Sequence, residues 1–139
     1  MAVTGLSNFD HTVHQTNIWL DDVMEELGID DRQTAYHALR AVLQTLRDRI
    51  TPHEAAHLSA QLPMLVRGIF YEGWHPAHKP NTGNVDDFLK LVSERTMAPI
   101  ETQPEKATQS VFRVLSKHLV GEAEHVKDNL PEDIRALWN

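Results

Sequence analysis

Apolar residues recur along most of the chain every three or four positions, the spacing of helices with one buried face. Val13, Ile18, Trp19, Leu20, Val23, Met24 and Leu27 form one such stripe, in a helix expected to begin near Asn8 or Asp10 and to stop at Gly28. Asp30 or Asp31 is then placed to cap a second helix, in which Ala35, Leu39, Val42, Leu43, Leu46 and Ile50 keep the period for about five turns. Arg32, Arg40, Arg47, Asp48 and Arg49 fall on its expected wet face. Residues 1–7 read as a loose tail.

Thr51-Pro52-His53-Glu54 is a dense helix-start signal. Thr is a good N-cap, Pro is favoured at the first helical position, and Glu at the third can return a hydrogen bond to the cap's amide. Pro63 ends that short helix and starts another, Met64 to about Tyr71, whose Met64, Leu65, Val66, Ile69 and Phe70 predict burial. Residues 72–83 read as a loop rich in Gly and Pro. Asn84 caps a helix to about Met97, with Val85, Phe88, Leu89, Leu91 and Val92 inward. Ala98 to Pro104 is a linker; a long helix then runs through Val111, Phe112, Val114, Leu115, His118 and Leu119. A short helix over Gly121 to Asn129 and a last one over Pro131 to Trp138 close the chain.

The second half repeats the first. His53 to Pro63 aligns with Gly121 to Pro131 at an offset of 68, Trp19-Leu20 with Phe88-Leu89 at 69, and Val42-Leu43 with Val114-Leu115 at 72. Each half then reads helix, long helix, short helix, proline, helix. The expected fold is all-α: two tandem, related four-helix units, about 8–72 and 84–139, forming one compact helical bundle and a single domain over residues 1–139.

Composition narrows the function classes. The absence of cysteine removes disulfides, thiolate metal sites and cysteine nucleophiles, and suits a cytoplasmic protein. No window approaches the ~18 apolar residues of a membrane span, and the N-terminus lacks the pattern of a signal peptide. A formal charge of −7 argues against a general nucleic-acid binder, so neither nucleic acid nor membrane is the expected partner. A helix-turn-helix over Tyr36 to Phe70 fails because the segment after Pro63 is too apolar for a recognition helix. Nine histidines would carry the formal charge from −7 to +2 if all were protonated; a histidine-rich surface is the simpler reading than a pH switch.

Two stretches carry candidate chemistry. His53-Glu54-Ala55-Ala56-His57 fits H-E-x-x-H, in which two histidines on one helix face hold Zn²⁺ and the glutamate acts on its bound water. The motif opens its helix, Glu54 already has a capping task, Gly121 replaces His53 in the second copy, and Glu72 is the remaining candidate ligand. The expectation is therefore a capped helix start, with no catalytic residue, metal or cofactor. His57 and His125, repeated, are expected to share a packing or hydrogen-bonding position. The loop has no counterpart in the second half, which makes Tyr71, Glu72, Gly73, Trp74 and Lys79 the candidates for contacting a partner; the simpler role for Trp74 is as a lid on the core.

Ala35-Tyr36, Leu39 to Leu43, Leu46-Arg47, Glu54-Ala55, Gln61 to Pro63 and Tyr71 to Trp74 resemble a bacterial family known as domain of unknown function 2267. The resemblance covers nearly the whole chain. It implies an all-helical, bacterial, cytoplasmic protein and supplies no catalytic residues. The resulting expectation is a protein-interaction or regulatory, stress-related adaptor whose partner is an unknown protein or a second copy. The alternatives are a zinc hydrolase through His53 and His57 and a bundle that binds a small ligand.

Overall fold

The computed structural model describes residues 4–75, 82–96 and 103–138. Among them are α1 (Ser7–Leu27), α2 (Arg32–Arg49), α3 (Pro52–Ser59), α4 (Met64–Tyr71), α5 (Val85–Thr96), α6 (Pro104–His118), α7 (Val120–Asp128), α8 (Glu132–Arg135) and a 3₁₀ turn, Ala136–Trp138, and no strand. The expected all-α bundle is therefore what forms. Lys79, residues 98–102 of the expected linker and residues 1–3 of the expected tail lie outside the described residues.

Local chemistry sets the helix limits. Gly28 adopts φ 69°, a left-handed conformation that favours glycine, and donates to Glu25 O while Ile29 donates to Met24 O. Asp31 caps α2 by accepting from the Gln33 amide and the Thr34 hydroxyl. Thr51 caps α3 through the Glu54 amide at 3.2 Å, but the Glu54 carboxylate accepts from the Thr51 hydroxyl instead of the cap's amide. Asn84 and Asp87 form a reciprocal pair at the start of α5: each side chain accepts from the other's amide, both at 3.1 Å. Pro104 belongs to α6 at its first position rather than to the linker.

The two long helices form the centre. α2 packs against α1, α4, α5 and α6, and α6 packs against α1, α2, α5, α7 and the 3₁₀ turn. α2 is therefore enclosed on most sides, with every residue from Ala41 to Arg47 buried. This corrects three expectations. Arg47 is buried, not on a wet face, because α4 and α5 cover that side of α2. Met64 and Leu65 are exposed although α4 is apolar nearly all round; Val66 and Phe70 are its buried positions. Ile18 also faces out, while Trp19, Leu20, Val23 and Leu27 carry the buried stripe of α1.

Candidate functional site

Helix α3 meets α7, and this brings the H-E-x-x-H stretch against Glu122 and His125. His57 Nδ1 lies 2.8 Å from Glu122 Oε2, and the rings of His57 and His125 pack 5.4 Å apart at 43°. Glu122 is nearly buried, and its Oε1 has no hydrogen-bond partner among the described residues. His53 is exposed at the start of α3, and Glu72 sits at the end of α4 beside Arg40. Among the described residues no group of three or more His, Asp or Glu is placed to hold a metal ion. The contact is a clasp between two short helices.

The Tyr71–Trp74 segment is braced from below. Gln44 donates to Ile69 O, and Arg47 Nη1 donates to Phe70 O and Glu72 O at 3.0 and 2.9 Å. These are carbonyls at the end of α4, which lack partners inside their own helix. Tyr71 OH lies 2.7 Å from Ser59 Oγ, and the Trp74 ring lies 5.1 Å from that of Tyr71 while packing on the core. Gly73 turns the chain at φ 75°. Tyr71 and Trp74 are thus half-buried, whereas Glu72 and Gly73 are exposed.

Two carboxylates join helices. Asp48 accepts from Arg47 Nε at 2.8 Å and Arg95 Nη2 at 2.6 Å, linking α2 to α5. Burial raises its pKa, but the hydrogen bonds and charges of the two arginines outweigh burial and hold the carboxyl below its usual range. Asp22 of α1 accepts from Lys117 at 2.9 Å and lies 2.6 Å from His118 Nε2, while the His118 ring stacks on Trp19. Burial again raises the Asp22 pKa; the hydrogen bonds from Lys117 and His118 outweigh it, and the net direction is down. Both sites read as ties within the bundle.

The open surface lies on the other side of α4. A groove of about 540 Å³ runs between α1, α2 and α4, with Val13, Leu20, Tyr36, Leu65 and Ile69 in its walls and Asn17 and Glu72 among its polar groups. The Thr12 hydroxyl accepts from the Leu65 amide at 2.9 Å, which fixes the start of α4 against α1. Phe9, one turn before Val13, is 46% exposed, Met64 is 46% exposed and Leu65 44%. Gly68 contributes to the groove from within α4, and a Cβ there would meet nothing within 4 Å. Apolar periodicity does not reveal this groove; its one local signal is Gly68, a glycine inside a short, mostly apolar helix.

A family model described as an uncharacterized conserved protein, DUF2267, matches residues 16–137. The chain belongs to this family. Among curated proteins none matches the chain. The DUF2267 match spans both clasp histidines and the groove residues from Thr16 onward, whereas Phe9 and Val13 precede it. No helix among the described residues is long and apolar enough to cross a membrane.

Proposed function

We propose that this DUF2267 protein is a bacterial, cytoplasmic, non-catalytic interaction module that works without a cofactor, a regulatory or stress-related adaptor for another protein. The groove between α1, α2 and α4 carries the reading. Large apolar side chains left open around a concave surface mark a contact site more often than a solvent face. Leu65 is such a side chain, 44% exposed in the groove wall, and the Thr12 hydroxyl holds the start of α4 against α1. The candidate loop residues Glu72, Gly73 and Trp74 follow at the end of α4, so a partner in the groove would reach them too.

The module consists of two tandem related four-helix units within one domain, about 8–72 and 84–139. Matching burial supports this division. At an offset of 68, Ala55, Leu58, Leu62, Val66 and Phe70 fall on Ala123, Val126, Leu130, Ile134 and Trp138, all buried. At 72, Ala35, Leu39, Val42 and Leu43 fall on Ala107, Val111, Val114 and Leu115, again all buried. At 69, Trp19 and Val23 fall on Phe88 and Val92. The packing is reciprocal as well: α1 meets α6 as α5 meets α2, and α3 meets its own counterpart α7. His57 and His125 touch where such a pseudo-twofold relation brings equivalent residues together.

The groove's size also suits a small apolar ligand, the second reading. Purification of the wild type and of Leu65→Lys separates the two. A stoichiometric protein partner that is lost from a still-folded Leu65→Lys variant supports the adaptor. An ordered small molecule in the groove with no protein partner supports the ligand-binding bundle. Near-stoichiometric zinc that disappears in His53→Ala, His57→Ala would overturn both in favour of a metal-dependent activity.

A further inference from the structure

We propose that the α1–α4 groove receives two turns of an apolar helix that carries a lysine or arginine and belongs to a partner protein; this rests on the interaction reading above. Three features specify that occupant. The first is Gly68. Glycine weakens a helix interior, yet Gly68 is neither in the left-handed region nor crowded by any neighbour. Its counterpart at the offset of 68 is Ala136, so the local fold accepts a side chain at that place. What glycine provides at Gly68 is close approach for something outside this chain.

The second feature is length. α4 has eight residues, about 12 Å at ~1.5 Å per residue, and its open face faces the apolar walls contributed by Val13 and Leu20. A groove of that length accepts apolar anchors at positions i, i+3 or i+4, and i+7 of a docked helix. The third is charge. Glu72 stands at the end of α4 with its side chain 66% exposed and, among the described residues, a 3.3 Å contact to Arg40. Arg67, the one cation of α4, points away and donates to the carbonyls of Ser59 and Leu62. The docked helix therefore meets a carboxylate beyond its last apolar anchor, within a chain of net charge −7. The start of α1 from a second copy fits this less well: residues 4–15 contain Asp10, His11 and His14 but no Lys or Arg.

The test uses two fluorescein-labelled 14-residue helical peptides, one of leucine and lysine and one of leucine and glutamate in the same order. Each is titrated by anisotropy against wild type, Gly68→Phe and Glu72→Gln, with sedimentation velocity on the protein alone. The lysine peptide is expected to bind wild type at least tenfold tighter than the glutamate peptide. Gly68→Phe, whose Cβ has open space in the groove, should weaken it at least tenfold, and Glu72→Gln several-fold, without lowering the urea midpoint. Equal weakening of both peptides, or a dimer that Gly68→Phe dissolves, would keep the interaction reading and overturn the basic-helix occupant. A monomer whose lysine-peptide binding ignores Gly68→Phe would remove both.

Discussion

The two proline-started helices, α4 and the α8–3₁₀ segment, close the bundle by different chemistry. At the end of α4, side chains from α2 take up backbone carbonyls: Gln44 binds Ile69 O, and buried Arg47 binds Phe70 O and Glu72 O. At the end of α8 the closure is aromatic. Trp138 stacks on Phe112 with centroids 4.1 Å apart, and its indole N–H donates to Ser116. The helices also differ on their outer faces. Leu65 and Gly68 leave a groove on α4, whereas on α8 Asp133 accepts from the Val85 amide at 2.8 Å. The bundle thus uses a polar lock at one proline-started helix and an aromatic one at the other, and the helix with the polar lock keeps the open apolar surface.

Removing either lock should have the largest effect. Trp138→Ala should cost about 4 kcal/mol, the usual scale for emptying a large aromatic site, read as a lower urea midpoint. Arg47→Met should cost about 3 kcal/mol, because it strands buried carbonyls and removes a partner of Asp48. If Arg47→Met proved neutral, the polar contacts would not be holding α4, and apolar packing of Val66 and Phe70 would suffice.

Acid should act through the two carboxylate ties. The Asp48 and Asp22 pKa values are lowered in the folded protein, so each contributes stability that is present above the unfolded value, about 3.9. That contribution is lost as pH falls through the lower folded value. Thermal melts from about pH 6 down to about pH 3 should therefore fall steeply at the acid end. Asp48→Asn should flatten the slope while lowering stability at neutral pH.

Two glycines give the smallest effects and opposite signs. Gly28→Ala forces a side chain into the left-handed region and should lose about 1–2 kcal/mol. Gly68→Ala should gain about 0.8 kcal/mol from helix propensity, since its Cβ has open space. A loss at Gly68 would mean that the groove is tighter than its geometry.

Helix limits were legible because a cap depends on residues within one turn of it. Gly28, Asp31, Thr51-Pro52 and Asn84 act where the sequence places them. Burial was legible where one face of a helix meets the core, as with Trp19, Val23 and Leu27 on α1 and Leu39, Val42 and Leu46 on α2. It failed for the other side of α2, where α4 and α5 cover what periodicity assigns to water and Arg47 becomes an internal clamp. It failed again for α4, where an apolar pattern cannot tell which positions a neighbour leaves uncovered. Thr51 caps the helix that carries His53 and His57, but nothing local foretold that His57 would face Glu122, 65 residues away.

The helical class, the order of the helices and where most of them start follow from periodicity and short-range hydrogen bonds, and so are written in the chain. Tertiary structure alone decided that α2 is enclosed, that Arg47 turns inward, that His57 meets Glu122 and His125, and that α1 and α4 leave a groove. Each of these depends on contacts between residues far apart in the chain, and no local preference specifies which distant surface will cover which face.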